Sequence, residues 1–423
     1  MGRCTTVNAR QRRMTQGKTD YIVIGIDDHR EPSLSKEALL AISSGNVFSG
    51  GKRHHDIVAH LLPQHARWID ITVPLDDVFA EYAKIDETIV VFASGDPLFF
   101  GFAATIQRRI PEAVIKTMPT LNLLQTLAHR LLLPYHDMHT VTLTGRPWHE
   151  FDAALIRRTP KIGILTDRNH TPAAIARRML EYGYDNYVMH IGELLGNDSG
   201  ERVCSVSLDE AAEYDAAMPN CVIITAVKER EKIMPIPDAE FVPLPGRPLM
   251  ITKAAIRHLT LAALELQQRH SLWDIGFCTG SVSIEARQQF PHLHVTSFET
   301  RSECEDIINT NARRFGTPGI NISMGDFLAA DTSQWPAPDA VFIGGHGGHL
   351  REMVLKAARE MIAGGVMVYN CVAVETTTDP RIPRDSIEIF NNAAAEAGMS
   401  VEQPMRVTID SYHPINILKA RKK

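Results

Sequence analysis

A glycine-rich turn between an apolar run and a helical pattern constrains the fold of this chain more than any other feature. The run SLWDIG (271–276) is typical of a buried strand, and SVSIEARQQF (281–290) is typical of a helix. The turn between them consists of Gly276, Phe277, Cys278, Thr279 and Gly280. A strand that passes through glycines into a helix presents backbone N–H groups to a bound ligand. The stretch therefore predicts an α/β domain with a ligand site at this turn.

The GxxxG spacing of the two glycines argues against a dinucleotide. A dinucleotide loop has the spacing GxGxxG, and its middle glycine lets the backbone approach a pyrophosphate. Cys278 stands at that position, and no Gly-Lys-Ser/Thr follows as it would in a phosphate-binding loop. Backbone N–H groups at the start of the helix would suit a carboxylate instead.

Two acidic residues on the following strands complete the outline of a ligand without phosphates. HVTSFE (294–299) ends in Glu299, 23 residues after Gly276, where a carboxylate can accept hydrogen bonds from both ribose hydroxyls. NISMGD (321–326) ends in Asp326, which is expected near an adenine amino group. Carboxylate, ribose and adenine together form the outline of S-adenosylmethionine (AdoMet). The sequence favours this cofactor over a glycine turn that binds nothing.

The length of the chain and the alternation of strand-like and helix-like segments indicate two α/β domains. Its 423 residues exceed the usual size of one domain, and strand-like segments alternate with helix-like segments in both halves. Residues 229–248 interrupt this alternation with five prolines, which disfavour helix and central strand alike. The predicted organisation is a disordered extension at 1–19, a domain at 20–228, a Pro-rich linker at 229–248 and a second domain at 249–423.

Charge, cysteine and hydropathy patterns exclude several classes of protein. The net charge is −6, and no basic stripe suggests a nucleic-acid partner. The six cysteines form no CxxC pair and no zinc pattern, so we expect free thiols, no metal and a cytoplasmic location. No run approaches the roughly 18 apolar residues of a membrane span, and the N-terminus has no apolar signal region. We expect a homo-oligomer without nucleic-acid or membrane partners.

Four stretches of the second half carry a resemblance to a known family. They are ITKAAIRHLTLAAL (251–264), DIGFCTGSVSIE (274–285), DAVFIGGHGGHL (339–350) and NCVAVETT (370–377). Together they resemble the C15-methylating, decarboxylating subunit of cobalamin biosynthesis. The GGxGG loop is the most specific motif, because ordinary Rossmann-like methyltransferases lack it. Cys278 and His346 depart from the Gly and Ser that the family often has, without changing the loop spacing.

This resemblance implies a C-terminal Rossmann-like AdoMet-dependent methyltransferase domain and a set of site residues. The residues predicted to bind AdoMet, including Asp326 from the strand pattern, are Thr252, Gly276, Phe277, Cys278, Thr279, Gly280, Glu299, Asp326 and Phe327. The residues predicted to contact the substrate are Gly344, Gly345 and His346. The acid and base catalysts are unknown. His346 and Glu375 are candidates, and His349 beside the GGxGG loop is expected to shape it.

Four stretches of the first half carry a second resemblance. They are VFSGGKRHHD (47–56), FASGDPLFFG (92–101), TLTGRPWHEF (142–151) and LTDRNHTPAAIA (165–176). They resemble the tetrapyrrole methyltransferase fold, in which AdoMet lies between two α/β lobes, and more narrowly its C5-methylating members. The residues that the resemblance places at AdoMet are Ser94, Gly95, Asp96, Pro97 and Leu98. The family's G-x-G-P-G turn is Gly25-Ile26-Asp27-Asp28 here, and its P-G-[IV]-S-S is PTLNLL (119–124), which leaves a degenerate first site open.

The order of the two resemblances is that of the fused precorrin-6Y C(5,15)-methyltransferases (decarboxylating). This family implies methyl transfer to carbons 5 and 15 of a reduced tetrapyrrole and loss of CO2 from the acetate on carbon 12. Such a substrate carries many carboxylates, so arginines are expected in its cavity, with Arg53, Arg146, Arg247 and Arg257 as candidates. His54 and His55 are expected at the surface. Two alternatives remain: a methyltransferase of RNA or another small molecule, and an AdoMet-binding protein with one inactive domain.

Overall fold

The structure is a computed structural model that describes residues 20–372, 386–409 and 414–423. Contacts between Cα atoms divide the chain into two compact units. The first unit comprises the described residues up to Arg146, Lys161–Ala176 and Val188–Thr225. The second comprises Pro147–Pro160, Arg177–Tyr187 and the described residues from Ala226 onward. The predicted extension at 1–19 and the candidate Glu375 lie outside the described residues.

The first unit begins with a parallel sheet whose strands alternate with helices. Between residues 20 and 118 the sheet has the order β3-β2-β4-β1-β5. Its strands are β1 (Tyr21–Ile26), β2 (Val47–Gly50), β3 (Arg67–Asp70), β4 (Ile89–Ser94) and β5 (Ile115–Met118). The helices between them are α1 (Lys36–Ser44), α2 (Lys52–Val58), α3 (Leu75–Tyr82) and α4 (Phe102–Arg109). Val23 and Val91 are fully buried, as expected for strands that helices cover on both faces.

The second sheet of the chain is mixed and has the order β6-β7-β10-β8-β9. Its strands are β6 (His139–Thr142), β7 (Lys161–Leu165), β8 (Tyr187–Glu193), β9 (Arg202–Ser207) and β10 (Asn220–Ala226). The helices of this part are α5 (Leu123–Arg130), α6 (His149–Ile156), α7 (Pro172–Glu181) and α8 (Leu208–Ala212). The predicted boundaries of α7 are confirmed: Thr171 Oγ1 accepts the Ala174 N–H at 3.2 Å, and Gly183 follows the helix with a φ of 67°.

The second unit contains one large sheet, parallel from β13 to β15, with β18 antiparallel to β15. In the described part of the chain its order is β13-β12-β11-β14-β15-β18-β16, and β17 also pairs with β18. The strands are β11 (Ser271–Ile275), β12 (His294–Glu299), β13 (Ile320–Met324), β14 (Ala340–Ile343), β15 (Val366–Val372), β16 (Met399–Val401), β17 (Met405–Val407) and β18 (Ile415–Lys422). The helices are α9 (Ala254–Ala263), α10 (Ser281–Gln289), α11 (Glu303–Phe315), α12 (Leu350–Glu360) and α13 (Ser386–Glu396).

The strand order of this sheet reverses at β11, because β12 and β13 lie on one side of it and β14 and β15 on the other. In open α/β sheets a ligand crevice forms at such a reversal, outside the carboxyl ends of the strands. The glycine-rich turn follows β11 directly, so the fold places it at this crevice. The predicted Rossmann-like architecture of the second half is confirmed.

The Pro-rich segment 229–248, predicted to be a linker, belongs to the second unit. It contains one short 3-10 turn, Asp238–Glu240, and no α-helix or strand, as the proline content predicts. Ile236, Phe241 and Leu244 are nevertheless buried in a cluster that includes Phe277 of the glycine-rich turn. Among the described helices of the whole chain, none is long and apolar enough to cross a membrane.

Candidate active sites

The glycine-rich turn after β11 lies directly against the GGxGG loop after β14. Gly276 has a φ of 77°, and a Cβ there would lie 2.6 Å from the backbone nitrogen of Gly345 and 2.7 Å from its carbonyl oxygen. Gly280 has a φ of 73°, and a Cβ there would lie 2.3 Å from Cγ1 of Ile308. Only glycine fits both positions, because a side chain would be strained by the backbone and would meet atoms already present. The two motifs therefore form one site.

A cavity of about 460 Å³ opens beside this turn. The residues of the sequence-based site that line it are Thr252, Gly276, Phe277, Cys278, Thr279 and Gly344. Further polar lining comes from Asp274, Ser281 and Asn370, whose Nδ2 donates to Thr260 Oγ1 at 2.9 Å. The apolar lining includes Ile256, Phe342, Val372, Val407 and Ile415. The cavity thus has a polar end at the turn and a wall of aliphatic side chains.

Asp274, the fourth residue of β11, brings an incompletely bonded carboxylate to this cavity. Its Oδ2 accepts a hydrogen bond from Ser283 Oγ at 2.5 Å, whereas its Oδ1 is buried and has no partner among the described residues. Burial raises the pKa of Asp274 to about 7, although the bonds from Ser283 oppose this shift. The sequence-based prediction missed this residue. An acidic side chain inside an otherwise apolar strand was the available signal, since carboxylates are almost never fully buried without a partner.

Glu299 ends β12 and ties that strand to the glycine-rich turn. Its Oε2 accepts the Cys278 N–H at 3.0 Å and the Arg301 Nη2 at 2.7 Å, and Arg301 Nε donates to Oε1 at 3.1 Å. Burial acts to raise the pKa of Glu299, but Arg301 and the backbone N–H groups outweigh it and lower the pKa. Glu299 is therefore ionised at neutral pH and can accept hydrogen bonds. The Arg301 guanidinium already donates to both of its oxygens.

Asp326 and Phe327 follow β13 but do not line the cavity. Asp326 is exposed, and its Oδ1 accepts the Leu328 N–H at 2.9 Å, which closes the turn. Phe327 is 2% exposed, and its ring lies against Trp273 and Phe298, with centroid distances of 6.1 and 5.0 Å. The ring of Phe327 is a core group, so contact of these two residues with AdoMet stays a prediction.

The histidine of the GGxGG loop, His346, forms a hydrogen bond within the loop. His346 Nδ1 accepts the Gly348 N–H at 3.1 Å, and its ring lies edge-on to Tyr369, with centroids 5.8 Å apart. Burial and the neighbouring His349 lower the pKa of His346, which keeps the ring neutral near pH 7. His346 does not line the cavity. The contacts present are those of a residue that shapes the loop, and its role as an acid or base stays a prediction.

Two of the arginines predicted to bind the substrate lie in the second unit, and neither is placed to do so. Arg257 is fully buried and donates to Glu285 Oε2 at 2.7 Å and to Asp238 Oδ1 at 2.8 Å. It also donates to the carbonyl of Thr252, so it holds the segment that carries this cavity residue. The prediction that Arg257 binds substrate is wrong, because its charge is already neutralised inside the core. Arg247 is exposed and does not line the cavity.

The first unit has its own cavity of about 480 Å³. Its lining includes Asp27 and Asp28 after β1, Arg53 and His54 of α2, and Ser94 and Gly95 at the end of β4. Gly95 has a φ of 64°, and a Cβ there would lie 2.7 Å from Asn122 Cα. The backbones therefore approach closely around the SGDP turn. This approach requires glycine at position 95.

The rest of the SGDP turn supports the cavity without lining it. Asp96 Oδ1 accepts the Leu98 N–H at 2.9 Å, and Pro97 is buried behind the turn. Arg146 does not line the cavity either, and its guanidinium lies 5.8 Å from the centroid of the Phe100 ring, a cation–π contact.

His54 was expected at the surface, and the structure shows it half-buried instead. The ring lies at the cavity wall, where its Nε2 is 2.9 Å from Ser94 Oγ and its Nδ1 accepts the Gly51 N–H at 3.3 Å. Burial, with a smaller contribution from Arg53, lowers the pKa of His54 to about 4. His55, next along the chain, stacks edge-on against Trp68 at 4.5 Å instead.

Comparison with known proteins agrees with both halves of this description. Residues 22–212 match the family of tetrapyrrole (corrin/porphyrin) methylases, and residues 248–380 match a precorrin methyltransferase domain. A precorrin-6Y C(5,15)-methyltransferase (decarboxylating) of Sinorhizobium sp is 32% identical over 360 residues, which cover 84% of each chain.

Two proteins of Salmonella typhimurium match the halves separately. A cobalt-precorrin-6B C(15)-methyltransferase (decarboxylating) is 39% identical over 132 residues, 31% of this chain and 67% of that protein. A cobalt-precorrin-7 C(5)-methyltransferase is 29% identical over 182 residues, 43% of this chain and 87% of that protein. The chain therefore belongs to the precorrin-6Y C(5,15)-methyltransferase (decarboxylating) family of AdoMet-dependent methyltransferases.

Proposed function

We propose that this chain transfers methyl groups from AdoMet to carbons 5 and 15 of precorrin-6Y or its cobalt form and decarboxylates the acetate on carbon 12. The first unit is assigned the transfer to carbon 5, and the second unit the transfer to carbon 15 with decarboxylation. The observation that carries this assignment is that each family match coincides with its own cavity beside a glycine turn at strand ends. The proposed substrate is therefore a tetrapyrrole. We also propose that the chain forms a homo-oligomer.

The residues of the second cavity fit AdoMet, which supplies an electrophilic methyl group on a sulfonium when it is bound. The unpartnered Oδ1 of Asp274 suits the cofactor's ammonium group. Gly276 and Gly280 leave open the space that side chains would fill, and the start of α10 offers N–H groups to a carboxylate. Glu299 is the ionised acceptor expected for the ribose hydroxyls. Binding the ribose would replace part of the hydrogen bonding between Glu299 and Arg301.

The protein's part in methyl transfer is to position the acceptor carbon and to keep water away. In-line placement of the reacting groups can contribute several kcal/mol, about 7–11 in well-oriented reactions. Phe342, Val372, Val407 and Ile415 give the cavity an aliphatic and aromatic wall, which favours a step that disperses the sulfonium charge. Asn370, whose Nδ2 donates to Thr260 Oγ1, also lines the cavity and is suited to orient a tetrapyrrole.

Mass spectrometry of the reaction products tests the proposal. The full chain is incubated with AdoMet and precorrin-6Y, or with the cobalt form, and a gain of two methyl groups with loss of one CO2 is expected. Gly276→Val should remove the methylation at carbon 15, and Gly95→Val that at carbon 5, because both put a branched side chain on a left-handed backbone beside other backbone atoms. An enzyme that leaves both substrates unchanged, or methylates RNA instead, would overturn the assignment.

A first unit that has lost its activity is the second candidate, because Asp27 and Asp28 replace the glycine-rich turn of its relatives. The cavity of about 480 Å³ at this turn argues that the first site is retained. Calorimetry with S-adenosylhomocysteine separates the two cases. Two ligands per chain support two working sites, and one ligand per chain supports loss of the first.

A further inference from the structure

Ser94, the last residue of β4, has a hydroxyl group whose oxygen receives two hydrogen bonds from neighbouring side chains. Arg53 donates from Nη2 to Ser94 Oγ at 2.9 Å, and His54 Nε2 lies 2.9 Å from the same oxygen. All three residues line the cavity of the first unit. The direction of the bond between His54 and Ser94 decides what the hydroxyl can do for a ligand.

The backbone N–H of Gly51 settles that direction. This N–H can only donate, and it points at His54 Nδ1 at 3.3 Å, so Nδ1 carries a lone pair and no proton. The ring is neutral near pH 7, since burial lowers its pKa to about 4. A neutral imidazole without a proton on Nδ1 carries it on Nε2. His54 therefore donates to Ser94, and it cannot serve as the base of the reaction.

The hydroxyl of Ser94 is left as a free donor by this arrangement. A hydroxyl oxygen accepts two hydrogen bonds and donates one, and both acceptor positions are filled by Arg53 and His54. Among the described residues no acceptor for the Ser94 O–H is present, and the side chain is exposed to the cavity. Two donors on one oxygen also polarise its O–H bond, which strengthens the donor.

The charges around the cavity indicate what this donor binds. Asp27 is paired with His29 at 2.9 Å, and Arg130 with Glu201 at 2.5 Å. Arg53 has its Nη1 at 3.4 Å from Asp28, a longer contact, and the planar guanidinium carries five donors in all. A guanidinium and a polarised hydroxyl side by side match the two oxygens of a carboxylate.

We infer that Ser94 and Arg53 bind a carboxylate of a ligand in the first unit, and that His54 is the positioning residue that keeps the Ser94 O–H available for it. The choice of ligand rests on the proposed function, which offers two sources of this group: the methionine carboxylate of AdoMet and an acetate or propionate arm of the tetrapyrrole. His54 acts through Ser94 and touches neither ligand in this assignment.

Binding measurements on Ser94→Ala distinguish the two sources. We titrate the full-length wild type and variant with S-adenosylhomocysteine, with its decarboxylated analogue, and with the tetrapyrrole, and fit the two cofactor sites separately. Loss of a bond to a charged group should weaken one ligand by about tenfold or more. A loss for S-adenosylhomocysteine but not for the decarboxylated analogue identifies the cofactor carboxylate. A loss for the tetrapyrrole alone identifies a carboxylate arm of the substrate.

Two outcomes overturn the inference. One is a change below twofold for every ligand, and the other is an equal loss for S-adenosylhomocysteine and its decarboxylated analogue without any change for the tetrapyrrole. Ser94→Thr, which keeps the hydroxyl, should restore most of the affinity that Ser94→Ala loses. Methylation by the wild type is assayed separately, so that an inactive enzyme counts against the proposed function and not against this contact.

The role of His54 needs a readout that a merely structural residue would not move. His54→Leu removes the donor to Ser94 and should weaken the same ligand that Ser94→Ala weakens. His54→Gln keeps an N–H donor at the corresponding reach and should restore the affinity, and His55→Gln serves as the matched control on the same helix. Equal effects of Leu and Gln at position 54, or a proton on Nδ1 in the nitrogen NMR spectrum of His54, would refute the positioning role.

Discussion

The substitution Asp274→Asn should stabilise the ligand-free protein at alkaline pH while weakening its affinity for the cofactor. The two effects have one cause, which is that Asp274 is fully buried with one oxygen bonded to Ser283 and the other unpartnered. Without a ligand the charged carboxylate is costly, and with the cofactor's ammonium it gains a partner. An asparagine keeps the shape and the bond from Ser283 but cannot carry the charge.

The magnitude follows from the pKa of Asp274, which burial raises from 3.8 to about 7. A raised carboxylate pKa means that the folded state holds its proton more tightly than the unfolded chain does. The contribution of Asp274 to the free energy of unfolding therefore falls as pH rises from about 4 to about 7, and it changes little above pH 7. A shift of about three units corresponds to roughly 4 kcal/mol, of which roughly 3 kcal/mol is lost between pH 5 and pH 8. Asp274→Asn removes this loss.

Denaturant unfolding of the ligand-free chain at pH 5 and pH 8, with and without the substitution, measures the effect. The difference in unfolding free energy between the Asp274→Asn variant and the wild type should grow by roughly 3 kcal/mol from pH 5 to pH 8. Asp339→Asn is the matched control, since that buried carboxylate accepts the His270 and Ser271 N–H groups at 2.8 Å and an amide would set donor against donor. The control should destabilise at pH 8.

The same substitution should weaken the affinity for the cofactor, although it stabilises the ligand-free protein. Calorimetry with S-adenosylhomocysteine at pH 8 should show about tenfold or greater weakening at the second site of Asp274→Asn, the expected loss of a bond to a charged group. An unchanged pH dependence of stability would refute the raised pKa. An unchanged affinity would refute the contact with the ammonium group.

Three substitutions test the glycine-rich turn and the ion pair between Glu299 and Arg301 beside it. Gly276→Val should abolish methylation at carbon 15 by mass spectrometry, whereas Gly364→Val, at the same φ of 77° but with no atom within 4 Å of its Cβ, should retain it. Cys278→Gly should leave AdoMet affinity by calorimetry within about twofold, because the backbone at position 278 has a φ of 51°, which glycine adopts without strain; a tenfold loss of affinity would contradict this. Arg301→Ala should raise the pKa of Glu299, since the backbone N–H groups that still donate to the carboxylate then oppose burial without the guanidinium, so that AdoMet affinity falls more steeply below pH 6 than in wild type; parallel pH profiles would contradict it.

The fold could be predicted from local signals because each of them acts over a few residues. Apolar runs marked the strands, the Thr171 and Gly183 caps marked α7, and the glycine-rich turn after β11 marked the crevice of the second sheet. The site motifs were found for the same reason: Gly276 is needed for a backbone approach that no other residue permits. These features require particular residue types at fixed spacing, and spacing is visible in a sequence.

Features that depend on partners far apart in sequence could not be predicted. Arg257 looked like a substrate ligand, but Glu285 and Asp238, 28 and 19 positions away, neutralise it in the core. His54 looked like a surface residue because its partner Ser94 is 40 positions away. In both cases the charge or ring is typical of a solvated side chain, and only the fold supplies the neighbour.

The donors of the glycine-rich turn show how the structure narrows the cofactor hypothesis. The sequence suggested that backbone N–H groups of the turn bind a carboxylate, yet the N–H of Gly276 donates to the Phe298 carbonyl at 2.8 Å and that of Cys278 donates to Glu299 at 3.0 Å. In the first turn of α10, the N–H groups of Ser281 and Val282 have no acceptor in the described part of the chain, and both residues line the cavity. A helix start leaves such N–H groups free for an anion. We therefore propose that the cofactor's carboxylate binds at Ser281 and Val282, and that the turn holds Glu299 in place for the ribose.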